Sequence, residues 1–392
     1  MHSYAIRAAS MFDGFDLSGP TTVQVTDGRI LSVDRTGAAP TGSRDVLDLG
    51  PRSCLLPGLV DTHVHLAFDA GPDPVAALVK TDDAELLTHM RAAAQSALRA
   101  GVTTVRDLGD RSYLALALAE EFRRQPELGP EILAAGPPLT TPGGHCHFFG
   151  GEVEGAEALR AAVRERHARG CAVIKIMASG GHMTPGSVAP HDSQYTLADL
   201  RVVVEEAHGL GLRVAAHAHG VAAIKNAVAA GVDSIEHVSF LTGDGTTPDQ
   251  DVLAAVAESD SFVSLTLGLD PRFPNPAMSS PHASVVLDAY RDLHKLGAKV
   301  VIGSDAGIGP FKPHGVLPYA VSDLVQLGIS SPREALAAVT SLAAQACGVD
   351  GRKGQITIGA DADLLAVHGN PMEDPAALLD VQAVFRAGVR IR

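Results

Sequence analysis

The sequence predicts an α/β protein, a (β/α)8 TIM barrel with a small β-sandwich domain formed by both chain termini. Three observations carry that reading. The chain has 392 residues, more than one domain of roughly 100–200 residues and within the span of an α/β barrel with an appendage. It is 46% hydrophobic and 19% charged, with apolar side chains enough for a large core and too little charge for a disordered chain. Short β-rich runs alternate along it with helix-length segments rich in Ala and Leu, which is the pattern of βαβ units.

The β-like runs, in order, are LLPGLVDTHVH (55–65), TTVRDL (103–108), EILAAG (131–136), AVIKIMAS (172–179), LRVAAHAH (212–219), VDSIEHV (232–238), SFVSLTL (261–267) and AKVVIGSDA (298–306). Between them the composition predicts helices over 84–100, 156–169, 198–209 and 284–296, several closed by a Gly suited to the left-handed C′ position. Eight strands, each followed by a helix, describe the barrel. Residues 1–54 and 350–392 fall outside that count. TTVQVTDGRILSVD carries a DG hairpin signal, while GQITIGADADLLAVH and AVFRAGVRI show alternation broken by Gly. The predicted domains are 1–54 plus 350–392 as the small β-sandwich and 55–349 as a barrel inserted into it. The other arrangement for the ends is a set of edge hairpins packed on the barrel.

Composition removes several function classes. The formal charge of -14, from 45 acidic against 31 basic residues, repels phosphate backbones at long range, so no nucleic-acid partner is expected. The start, MHSYAIRAASMFDGFD, lacks a basic segment followed by an apolar run of signal-peptide length. No stretch approaches the roughly 20 apolar residues of a membrane span, so the expectation is a cytoplasmic protein with no membrane partner. Four cysteines (Cys54, Cys146, Cys171, Cys347) stand without a CxxC pair, against both a disulfide framework and a thiolate zinc site. Aromatics make up 4% and Trp is absent, which leaves few stacking platforms for bases or sugars. Histidine, at 17, is the unusual count.

In an α/β barrel the C-terminal strand ends face the active-site mouth. Strand 1 ends in His63-Val64-His65, and a period of two points both imidazoles to one side, as a chelating pair or as satisfied core histidines. Strand 4 carries Lys175 between Ile174 and Ile176, an ammonium that burial penalises unless it is paired with an acid or carboxylated by CO2. Strand 5 ends in His217-Ala218-His219, strand 6 in Glu236-His237 and strand 8 in Ser304-Asp305. Five strand ends thus present groups suited to zinc or a similar ion.

Together PGLVDTHVH, VIKIMASGG, AHAHG, SIEHV and GSDAG resemble the amidohydrolase superfamily, over the barrel and both ends, and DADLLAV is similar to its C-terminal sandwich strands. The Lys followed by MASGG, with TPGGHCHFFGG before it, resembles the prolidase-like and Xaa-Arg dipeptidase branch. The resemblance implies two divalent metal ions; zinc fits the donor type, and manganese, cobalt or iron can occupy similar binuclear sites. His63, His65 and Asp305 would hold the first, His217 and His237 the second, and a CO2-derived carbamate on Lys175 would bridge them. It also implies amide hydrolysis by a metal-bridging hydroxide, with Asp305 as general base and then general acid. His219 shares the ligand's face of its strand and reads as lining the mouth.

Substrate contacts are expected from His145, in the Gly-rich loop after strand 3, and from His182 and Tyr195, in the Gly- and Pro-rich stretch 179–195 after strand 4. His182 follows Gly180-Gly181 where relatives carry a small apolar residue. Arg106 and Asp107 end strand 2 and suit orientation of the substrate or of the ligands, or equally a structural ion pair. The stretch 268–281, with four prolines, suits a stiff connector or a pocket wall. The leading function is hydrolysis of a peptide or N-acyl amino acid, with a small-molecule or peptide substrate. The same branch includes trimming of modified peptides in natural-product maturation, such as bottromycin follower removal. Alternatives are a cyclic amide or imide hydrolase or a heterocycle deaminase, against which Lys175 counts, since such deaminases use one metal and lack the lysine. A lactone or phosphotriester hydrolase would use the same metals, and a catalytically silent metal-binding scaffold is opposed by the complete ligand set. The resemblance also implies a homo-oligomer.

Overall fold

The computed structural model describes residues 3–38, 45–273 and 281–392. All eight β-like runs contain a barrel strand: β1 Leu59–Val64, β2 Val102–Asp107, β3 Glu131–Ala134, β4 Val173–Met177, β5 Arg213–Gly220, β6 Ser234–Thr242, β7 Phe262–Leu265 and β8 Lys299–Ile302. They form two parallel ladders, β3-β2-β1 and β4-β5-β6-β7-β8. Isolated parallel bridges, Val64 to Ala306 and Leu139 to Ile176, close the two seams into a barrel. At the first seam the Asp305 N–H donates to the His63 carbonyl at 2.8 Å and the His65 N–H to the Ala306 carbonyl at 3.0 Å. The backbone of the candidate ligands therefore closes the ring.

The four predicted helices are Asp83–Arg99, Ala156–Arg169, Leu197–Gly209 and Pro281–Lys295. Asp82 caps the first by accepting from the Ala84 and Glu85 N–H groups, and Thr196 with Asp199 forms a capping box at the third. Gly170, at φ +90°, ends the second in the left-handed conformation that glycine adopts without strain. Among the described residues no helix is long and apolar enough to cross a membrane.

The first β-like run divides where a single strand was expected. Ser53–Pro57 pairs antiparallel with Leu364–His368, and the barrel begins only at Leu59. Gly58 makes the switch, its N–H bonded to the Asp363 carbonyl at 2.8 Å. A Cβ there would lie 2.2 Å from Thr103 Oγ1, so a side chain cannot pass between the sheets.

Strands from both chain ends build two further sheets. One holds Ser3–Ala8, Thr21–Thr26, Arg29–Asp34 and Val46–Asp48; the other pairs Ser10–Phe12, Ser53–Pro57, Leu364–His368 and Val381–Arg386 with two short edge strands. Their apolar faces meet in one cluster that includes Ile6, Val23, Val25, Leu55, Ala383 and Phe385.

A buried ionic network ties these sheets to the N-terminal end of the barrel. Lys353, with 1% side-chain exposure, lies 3.0 Å from Glu131 at the start of β3, 2.8 Å from Asp361 and 2.5 Å from Asp363. Arg386 meets Asp363 at 3.1 Å, and Arg352 meets Asp361 at 2.7 Å. Burial works against the Glu131 charge, but Arg352 and Lys353 hold its pKa down to about 2. Removing one member of such a network strands buried charge, at about 3–5 kcal/mol. Lys353→Met is expected to destabilise the fold by about 3 kcal/mol, read as a lowered urea midpoint, and an unmoved midpoint would refute that weight.

Candidate metal centre

The C-terminal strand ends bring two donor groups together, His63, His65 and Asp305 in one and His217, His219 and His237 in the other. Within each group the donor atoms lie within 4.8 Å of one another. In the first, the Nε2 atoms of His63 and His65 are 3.2 Å apart, and Asp305 Oδ1 is 3.6 Å and 3.3 Å from them. In the second, the His217 ring centroid is 4.6 Å from those of both His219 and His237. The His63 and His237 rings, 5.1 Å apart, join the groups.

Lys175 completes the centre. Its side chain has 1% relative exposure, and Nζ has no hydrogen-bond partner among the described residues. It lines a cavity of about 180 Å3 with His65, His217, His237 and Asp305. Burial pushes its pKa down to about 8, against the pull of Glu236 and Asp305. An unsatisfied amine beside two donor groups, with nitrogen and oxygen donors alone, fits a site for divalent cations.

The titratable groups are set for ligation. Burial, with the Lys175 charge, lowers His63 to about 4. His217 and His237 lie well below the ordinary imidazole range through burial and neighbouring imidazoles, so their ring nitrogens keep lone pairs. Burial opposes ionisation of Asp305, but His63 and His65 hold its carboxyl well below the usual range.

Support for this arrangement comes from residues whose part the sequence does not reveal. Glu236 Oε2 accepts from His63 Nδ1 at 2.9 Å, which turns the Nε2 of His63 to the donor group. Arg106 donates to Glu236 Oε1 at 2.9 Å and to the Thr62 carbonyl at 2.6 Å, and Ser234 donates to Glu236 Oε1 at 2.7 Å. The two readings of Arg106 thus merge, because its ion pair also orients the ligand's partner. Asp107 instead accepts the Leu66 N–H at 2.8 Å. Asp61 accepts the Ser304 N–H at 2.8 Å, and Lys312 Nζ donates to the carbonyls of Thr266, Leu267 and Ser304. The local signal for Glu236 is only a carboxylate beside the donor His237, in Ser234-Ile235-Glu236-His237, and it does not mark the partner.

His145 and His182 line the central cavity. The His145 ring is 4.7 Å from that of His217, with Thr184 Oγ1 3.2 Å from its Nδ1. The His182 ring stands 5.5 Å from His219. His219, read as lining the mouth, belongs to the second donor group, with Nδ1 2.9 Å from Ser239 Oγ. Tyr195 is not brought to the centre. It is buried in the core, its hydroxyl donates to the Val153 carbonyl at 2.7 Å, and it borders a separate cleft with Thr141 and Glu154. Its neighbour Gln194 takes the inner side, donating to the Met177 carbonyl at 2.8 Å and accepting the His145 N–H at 2.7 Å. Of the proline-rich stretch 268–281, residues 274–280 lie outside the described residues.

An α/β barrel with such donors at its strand ends has the build of a hydrolytic enzyme. The sequence profile of the amidohydrolase family matches residues 54–391, and the chain belongs to that family. It is 29% identical over 368 residues to ochratoxinase of Aspergillus niger, covering 84% of this chain and 73% of that protein. A crystal structure of a Xaa-Pro dipeptidase with bound methionine in the active site superimposes at a TM-score of 0.87, with 27% identity over 99% of both chains. A prolidase complexed with N-methylphosphonate-L-proline does so at 0.84, with 25% identity over 100% of both.

Glu236 yields a direct test. Glu236→Ala removes the acceptor that orients His63, so the apoprotein is expected to bind zinc about 10–100-fold more weakly in a chelator competition. Affinity unchanged in a folded variant would refute the orienting role.

Proposed function

We propose that the chain hydrolyses an amide bond in a peptide or an N-acyl amino acid, with two divalent ions, zinc by donor type, held by the centre. His63, His65 and Asp305 would hold one, His217 and His237 the other. The observation that carries the reading is the buried, unpartnered Lys175 amine on the cavity shared by both donor groups. Its lowered basicity favours the free amine, whose lone pair attacks CO2. A carbamate formed there, with the nitrogen's proton released to water, would offer its oxygens to both donor groups. When bound, the ions would supply a water of lowered pKa and a polarised carbonyl. Asp305, ionised beside His63 and His65, takes the proton of the attacking water and returns it to the leaving nitrogen. His145 and His182, on the cavity wall, contact the groups flanking the scissile bond. The dipeptidase and prolidase among the structural relatives support an amide substrate.

Asp305→Asn keeps a donor oxygen and loses the proton carrier. Its turnover on a panel of dipeptides and N-acyl amino acids is expected to fall about 10²–10⁴-fold, with metal content near that of the parent by elemental analysis. Undiminished turnover would sink the role. Lys175→Ala should lower the metal content itself, and two ions per chain retained without added carboxylate would contradict the carbamate.

A further inference from the structure

The central cavity has two larger neighbours. On the β5–β7 side a chamber of about 760 Å3 shares His219 and Thr266 with it. The chamber wall has an apolar side, where Leu267 and Tyr290 are buried and Leu241, Val286 and Leu287 half-buried, and a side lined by His191, His219 and His282. The Tyr290 hydroxyl donates to the His237 carbonyl at 2.6 Å, so the wall is fixed to a donor of the centre. Among its described lining residues there is no Lys or Arg, and the one carboxylate, Asp244, is exposed. A charged substrate group would find no permanent cation there and no shielded anion. On the other side a cleft of about 570 Å3 is lined by Val75, Met183 and Ile308, and His182 borders both spaces.

The position of Asp305 orients a substrate between them. Asp305 lines the central cavity, and Ile308, three residues on, lines both that cavity and the second cleft. Neither belongs to the chamber lining. The leaving nitrogen must receive the Asp305 proton, so the amine half of the substrate lies on the Asp305 and Ile308 side. The acyl half then points past His219 and Thr266 into the chamber.

We propose that this chamber binds the acyl half of the substrate and selects a bulky, uncharged, apolar acyl group. The proposal rests on the amide-hydrolase reading above. A space of several hundred Å3 with an apolar side accommodates much more than an acetyl group, and each buried methylene adds several-fold to binding.

The test compares N-acetyl-L-alanine with N-octanoyl-L-alanine on the metal-loaded enzyme, by kcat/KM and by isothermal titration calorimetry. A second pair, N-acetylglycine and N-acetyl-L-phenylalanine, varies the amine half. The octanoyl compound is expected to be favoured about tenfold or more. Val286→Trp, which fills the chamber, should lower the octanoyl-to-acetyl ratio about tenfold, and Leu287→Asp gives the same reading if the Trp variant does not fold. Equal kcat/KM for both acyl groups, or a size preference confined to the amine half, overturns the proposal and leaves amide hydrolysis standing. If neither these compounds nor the dipeptides of the panel above are cleaved, the amide-hydrolase reading fails and calorimetry decides the chamber. Octanoyl binding that is tighter than acetyl and weakened by Val286→Trp then upholds an apolar acyl site, and equal or absent binding overturns it.

Discussion

A primary amine buried without a hydrogen-bond partner is the constraint on which the centre depends. Lys175 stands in β4 between two apolar residues, and its charge in that position is tolerable only beside compensating carboxylates. Glu236 and Asp305 provide them, while Arg106 pairs with Glu236 from β2. These four buried charges balance, and burial holds His63, His217 and His237 below the ordinary imidazole range. Capture of CO2 by the amine would turn that balanced set into a net anionic one, which is the condition a pair of divalent cations requires. The barrel can keep such a set dry because every member is fixed to a strand or to the turn directly after one, and the strands are bonded to each other on both sides.

Part of the backbone strain lies at the same place. His237 and Asp305 lie in the left-handed region, at φ +73° and +56°, as does Cys146 at +58° beside His145. Such conformations cost about 1–3 kcal/mol each for non-glycine residues and persist where the surroundings over-determine them. At Asp305 the surroundings are explicit. The Ser304 N–H is held by Asp61, the Asp305 N–H by the His63 carbonyl, and the Ser304 carbonyl by the Lys312 ammonium. The turn after β8 is thereby locked to β1, so the Asp305 carboxylate cannot drift with the loop around it.

The strands and the donor set were legible because both are local. A period of two and a polar residue at the end of an apolar run are visible within ten residues, and they placed His63, His65, Lys175, His217, His237 and Asp305 at one mouth. The division at Gly58 was hidden because the residues on either side have the same β character, and only the approach of Thr103 shows that the chain changes sheets. Tyr195 was misplaced for a related reason. A loop composition says that a segment borders the mouth but not which of two consecutive side chains turns inward, and Gln194 takes that side through the Met177 carbonyl and the His145 N–H. Glu236 and Lys312 act through partners far along the chain, His63 in one case and the carbonyls after β7 in the other, and no short pattern records such pairings.

The donor groups and the chamber belong to different parts of the fold. The donors belong to strands and their first turns, tied down by buried ion pairs, and a change there strands charge. The chamber is built largely from the end of β6, the chain after β7 and the helix Pro281–Lys295, where Leu241, Val286 and Leu287 are only partly covered. Alteration of these residues removes a few methylenes of contact and leaves the ionic set intact. Ochratoxinase and the dipeptidase, both related to this chain at under 30% identity, bear names for different substrates, and this division gives a physical route to that spread. The connections above the barrel mouth can change the shape of what reaches the donors without disturbing the strands that hold them.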